Sequence, residues 1–166
     1  MARIQQGRTT HDRDGDLAVF LIGVRFNRLH RVDQWLPVVR AMTRMLTELY
    51  GAKSAAAAGE GEDLGFLDAR SVVDGKGLTV VQYWRSAADV YASATSTEHA
   101  HRPAWAAFNS RARKAAGAVG IWHETYAVPA GAHESLYVGM TDFGLARATT
   151  SVPVEGSRRT PASLRA

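Results

Sequence analysis

The run Leu17-Ala18-Val19-Phe20-Leu21-Ile22-Gly23-Val24-Arg25-Phe26 limits the folds open to this chain more than any other stretch. It reads as a strand, and both of its alternating side-chain sets are apolar over most of its length. A strand of that kind must be covered on both faces. Polarity enters only at its end, where Arg25 and Asn27 share a face. Polar side chains at the exit of a buried strand line a cleft, or mark where the strand reaches water.

The next elements follow from periodicity. Trp35, Val39, Met42, Leu46 and Leu49 recur at spacings of four and three, which predicts a helix over about 33–50. Asp33 is the expected N-cap, Gly51 the expected stop, and Pro37 suits only a first turn. Ala55–Ala58 could prolong the helix, whereas Gly59 and Gly61 argue for a loop there. A hairpin follows, with arms 64–73 and 78–84 around Asp74-Gly75-Lys76-Gly77. Ser86 and Asp89 form a capping box for a second helical region. Within that region Trp105 and Phe108 lie one turn apart, and His101 lies one turn before Trp105, facing the sheet. Pro103 kinks or restarts the helix there.

The stretch 118–128, with Ile121-Trp122-His123-Glu124-Thr125-Tyr126 at its heart, reads as a strand ended by Pro129. Ile121, His123 and Thr125 point one way, and Trp122, Glu124 and Tyr126 the other. Alternation alone leaves open which set faces the helices. An imidazole and a carboxylate in mid-strand mark a functional site, or an edge or interface strand with satisfied polar groups. A short strand over 135–140 comes last. The ends read as a loose N-terminal arm over 1–15, with no role for His11, and a C-terminal arm and basic flexible tail over 141–166. The domain proper spans 16–140.

Strand, helix, hairpin, helix, strand is the ferredoxin-like split βαβ order, an α+β fold with an antiparallel sheet and helices on one face. The apolar second face of the first strand then calls for a second copy of the chain, so a homodimer is expected. Composition agrees with one such domain, at 166 residues and 46% hydrophobic. The absence of Cys excludes a disulfide framework, a thiolate metal site and a Cys nucleophile, and no metal site is expected. The net charge of +4 gathers near the ends, and no nucleic-acid motif accompanies it. With no apolar leader or membrane-length run, a cytoplasmic protein without membrane partners is expected.

Several of these runs carry a family resemblance. Phe20–Asn27, Trp35-Leu36-Pro37, Val81–Ser86, His101-Arg102-Pro103-Ala104-Trp105 and Gly120–Tyr126 resemble motifs of DUF4188. This fumagillin-type monooxygenase family lies within the dimeric α+β barrel superfamily. The resemblance spans roughly residues 3–155. It implies the dimeric barrel and a tailoring enzyme of secondary metabolism, since one relative is linked to oxidative cleavage in polyketide-terpenoid biosynthesis. More distant relatives include quinone-forming monooxygenases that need no cofactor, haem-degrading monooxygenases and haem-containing aldoxime dehydratases. Carried over by position, the Asn, Trp and His of the haem-degrading relatives fall on Asn27, Trp84 and His101, with His101 as the iron ligand.

Three functions are therefore in view. The first is a small-molecule oxygenase with no cofactor. It needs a base, donors for a substrate anion and a dry pocket. His123 or His101 would be the base, Asn27 and Arg25 the donors, and Trp84, Trp105, Tyr126 and Glu124 the substrate contacts. The second is a haem b enzyme with His101 on the iron. The third is a non-catalytic module that binds a small molecule in the same cleft.

Overall fold

The structure is a computed structural model that describes residues 4–95, 110, 113, 114 and 117–154. The elements in chain order are β1 (Arg8–His11), β2 (Leu17–Phe26), α1 (Val32–Ala57), β3 (Phe66–Val73), β4 (Gly77–Trp84), α2 (Ala87–Thr95), β5 (Val119–Val128), β6 (Tyr137–Val138), α3 (Gly144–Ala148) and β7 (Ser151–Pro153). The larger sheet runs β3-β4-β2-β5 with every neighbour antiparallel. This is the ferredoxin-like order. It places β2 centrally, as its two apolar faces require.

One face of β2 presents Ala18, Phe20, Ile22 and Val24 to α1 and α2. From α1 the buried side chains are Val38, Ala41, Met42, Met45 and Leu49. Of the expected stripe, Trp35, Val39 and Leu46 are only half-buried flanks of this core. The helix also differs from expectation at both ends. Arg31 occupies the N-cap position, and Asp33 sits in the first turn, paired with Arg31 at 2.9 Å. Pro37 lies inside the helix, which continues through Gly51 and on to Ala57. One lost hydrogen bond and one helical glycine are outweighed by the long packed face and by alanine's high helix propensity. The true stop is Gly59 at φ 75°. There the Gly59 N–H donates to Ala56 O and the Glu60 N–H to Ala55 O, a Schellman closure. At the start of α2, Ser86 Oγ accepts the Asp89 N–H at 3.1 Å, as the capping box predicts.

Residues 8–11 and 137–153 hold more regular structure than the sequence suggests. β1 pairs with both β6 and β7, forming a second sheet of order β6-β1-β7. Residues 8–11 are thus a strand, not a loose arm. The helices are not confined to one face either. Leu145 and Ala148 of α3 pack on Leu17, Val19, Leu67 and Tyr83, covering the start of the opposite face. The tail from 155 onward and the segment with His101, Pro103, Trp105 and Phe108 lie outside the described residues.

The layers are tied together at the edge strand β3, where a bulge lies between Phe66 and Asp68. Asp68 is buried at 7% exposure. It accepts the Tyr50 hydroxyl of α1 at 2.6 Å and Arg147 Nε of α3 at 2.5 Å. Burial, then the bond to Asp68, raises the Tyr50 pKa above its ordinary value. Asp68→Ala removes both bonds and is expected to cost about 2 kcal/mol, discounted because the Arg147 side chain is 46% exposed. Urea denaturation measures the loss, and a double-mutant cycle with Arg147→Met should return a coupling of about 1 kcal/mol.

Candidate functional site

The register of β5 on β2 settles the direction of its side chains. Ile121, His123 and Thr125 lie opposite Val24, Ile22 and Phe20, so this set faces the helices. Trp122, Glu124 and Tyr126 lie opposite Gly23, Leu21 and Val19, on the other face. β5 is an edge strand, and His123 is exposed there. Its ring centroid stands 5.9 Å from that of Phe20, and it makes no hydrogen bond with a described residue. An imidazole held against an apolar ring with both nitrogens unengaged can accept or deliver a proton.

On the same face, one strand beyond β2, lies Gln82 at 1% exposure. Its Oε1 accepts the Trp84 Nε1–H at 2.9 Å, while its Nε2 has no partner among the described residues. A cavity of about 10 Å³ between Gln82, Trp84, Phe20 and Ser93 adjoins this pair. That volume is about one water molecule's worth. Trp84 is 2% exposed and packs edge-on against Phe66 at 5.3 Å. It belongs to the core.

The opposite face is open at the end away from α3. Trp122 is 37% exposed and Tyr126 51% exposed. The Trp122 ring lies over Gly23, where an added Cβ would approach it to 2.5 Å. The Tyr126 hydroxyl donates to Glu124 Oε2 at 2.7 Å, and this bond is the main cause of its raised pKa.

Arg25 and Asn27 come together at the end of β2. With Arg28, His30 and Lys76 they line an open cleft of about 420 Å³. Asn27 Nδ2 donates to Gly117 O at 3.2 Å. The clustered cations favour an anion there.

The candidates named from the sequence therefore divide into four places. His123 stands on the helix side, Glu124 and Tyr126 on the open face, Arg25 and Asn27 in the end cleft, and Trp84 in the core. His101 and Trp105 lie outside the described residues. Trp84 pairs with Ala18, nine residues along β2 from Asn27, which separates the two by about 30 Å. Asn27 and Trp84 thus border no common haem-sized space.

A further cluster escaped the sequence reading. His11 of β1 is 7% exposed. Its Nδ1 lies 2.7 Å from Ser135 Oγ and its Nε2 lies 2.9 Å from His133 Nδ1. Burial, then the neighbouring His133, lowers the His11 pKa below 6.5, against the opposing pull of Asp12 and Asp14. The folded state therefore binds this proton less readily than the unfolded chain. The stability that follows is complete above about pH 6.5 and is lost as pH falls through it. Melting temperature should drop between pH 7.5 and 5.5, and the drop should shrink in His11→Gln.

Comparison with known proteins adds three findings. The family model described as Monooxygenase af470-like matches residues 17–145. No curated protein matches the chain. A solved structure from Bacteroides thetaiotaomicron, described as a conserved protein of unknown function and possible oxidoreductase, is similar at 11% identity and a TM-score of 0.41. That similarity covers 69% of this chain and 99% of the other.

Proposed function

The chain belongs to the monooxygenase af470-like family, and from that membership we propose an oxygenase-like oxidoreductase that oxidises a small acidic molecule of secondary metabolism with dioxygen and no bound cofactor. The observation that carries the chemistry is His123. It is exposed on the helix side of β5, against Phe20, without a hydrogen-bond partner among the described residues. Cofactor-free oxidation begins with proton removal from an electron-rich substrate. His123 takes a proton from a methylene flanked by unsaturated carbonyl groups. The resulting anion reduces dioxygen, one oxygen atom enters as a new carbonyl, and the other leaves as water. Methylene plus dioxygen gives carbonyl plus water, so the substrate supplies all four electrons and no external reductant is needed. Phe20 gives the imidazole an apolar wall, its ring centroid 5.9 Å away.

Oxygen uptake by the purified protein tests this reading, with anthrone-type or related acidic methylene compounds as substrates. Uptake without added reductant, with one water's oxygen and one carbonyl oxygen both derived from labelled dioxygen, is the expected result. Turnover that requires a nicotinamide, a flavin or hemin would overturn it. The reading includes a homodimer joined through the open sheet face, where Trp122, Tyr126 and Val72 are exposed. Light scattering at micromolar concentration should give twice the chain mass of 18.0 kDa, and Trp122→Glu should shift it to the monomer. A wild-type monomer contradicts the dimer.

A further inference from the structure

The strand β1 precedes the family-matched residues, and it completes a second cleft of about 310 Å³. Arg8, His11, His133 and Ser135 are among the residues that line it. We propose that Ser135, His11 and His133 form an acyl-transfer site, with Ser135 Oγ as nucleophile toward small esters that carry an anionic group. The proposal is independent of the oxygenase reading, since no residue is shared.

The hydrogen bonds fix where the protons sit. His133 Nε2 lies 2.9 Å from Gly15 O. A carbonyl can only accept, so that nitrogen carries the hydrogen and His133 Nδ1, in the neutral ring, is bare. It accepts from His11 Nε2–H at 2.9 Å. His11 Nδ1 is then bare in turn and accepts the Ser135 hydroxyl at 2.7 Å. A serine hydroxyl donating to an imidazole, itself oriented by a third group, is the arrangement that activates a serine. The ring is also held in place, because Thr10 Oγ1 donates to Ser135 O at 2.7 Å and anchors the loop to β1. Burial keeps His11 unprotonated near neutrality, as a base requires.

The reaction balances without a co-reactant beyond water. Ser135 Oγ bonds to the acyl carbon while its proton passes to His11 Nδ1. His133 Nδ1 accepts the His11 Nε2–H throughout and stabilises the imidazolium. The C–O bond to the leaving alcohol then breaks, and the alcohol takes the proton from His11. Water repeats both steps on the acyl-serine and releases the acid. The Ser135 and Leu136 backbone N–H groups make no hydrogen bond with a described residue, which leaves donors beside the nucleophile for the carbonyl oxygen. Selection for an anion falls to the Arg8 guanidinium, which has no partner among the described residues, against the carboxylates of Asp14 and Glu134 in the same lining. Arg13 is engaged by the carbonyls of Asp16 and Arg85.

The test uses the full chain at pH 8. A fluorophosphonate probe should label one site, mapped by mass spectrometry to Ser135. Hydrolysis of 4-nitrophenyl esters should fall at least 100-fold in Ser135→Ala. His133 acts through His11 as a positioning residue. His133→Ala should lower the rate tenfold or more and shift the pH profile, and His133→Asn, which keeps an acceptor, should restore part of it. Arg8→Ala should raise KM for an ester with a terminal carboxylate several-fold more than it raises KM for the acetate. If His11→Ala does not fold, the His133 and Arg8 variants still decide. A folded wild type in which Ser135 stays unlabelled, or Ser135→Ala hydrolysing at the wild-type rate, overturns the proposal and leaves the cluster as a pin for β1.

Discussion

Trp84→Ala is expected to destabilise the protein by about 4 kcal/mol, within the range of about 3–5 kcal/mol for removing a buried aromatic. The side chain is 2% exposed, lies opposite Ala18 and packs edge-on with Phe66. Truncation opens a cavity in the middle of the sheet–helix core. It also strands the Gln82 Oε1 that Trp84 now satisfies, next to a Gln82 Nε2 that has no partner among the described residues. A buried acceptor left unmade adds about 1–3 kcal/mol at most. Against a typical stability of about 5–15 kcal/mol, the variant sits near the limit of folding. Trp84→Phe retains most of the apolar volume and should lose only about 1–2 kcal/mol. Urea midpoints compare the two. A Trp84 that walled a substrate pocket would behave differently, with KM rising in both variants and stability nearly unchanged.

His123→Ala should do the reverse. The ring is exposed on an edge strand and makes one ring contact, so stability should move by no more than about 0.5 kcal/mol. A general base contributes about 10²–10⁴ in rate, so kcat/KM for the proposed oxidation should fall at least about 100-fold. His123→Gln keeps hydrogen-bonding capacity but cannot take up a proton, and should be equally inactive. Oxygen uptake by each purified variant, alongside its melting temperature, checks both halves. A folded His123→Ala with wild-type turnover moves the base elsewhere, and His101 is then the residue to replace.

The contrast between these variants shows which features were legible in the sequence. The double apolar pattern of β2, the Asp74–Gly77 turn and the Ser86 cap are local signals, and each has its expected place. Alternation divided Ile121, His123 and Thr125 from Trp122, Glu124 and Tyr126, but only the pairing of His123 with Ile22 assigns them to a side. The face of α1 is turned slightly from the expected stripe, because Met45 and Val38 reach the core while Leu46 and Trp35 stay at its rim. Gly51 misled because a single glycine costs only about 1 kcal/mol in a long packed helix. Asn27 and Trp84 were drawn together by analogy of position, and the strand length between them keeps them apart. The His11 cluster had no periodic signal, since β1 spans 4 residues and its partners 2 and 3. The hints were a pair of β-branched residues before His11 and a second histidine in the turn after β5.

The same second sheet sets a timetable for the chain as it is made. Thr9 pairs with Tyr137 and with Pro153, partners that leave the ribosome more than a hundred residues later. At about 5–20 residues per second, β1 waits roughly 6 to 30 seconds before it has a strand to join. During that interval the ferredoxin-like sheet can assemble without it, while His11 stays in water and titrates like any free imidazole. The cluster of His11, His133 and Ser135 then exists only in chains whose synthesis has run past β6, which holds β1 beside the turn that carries His133 and Ser135.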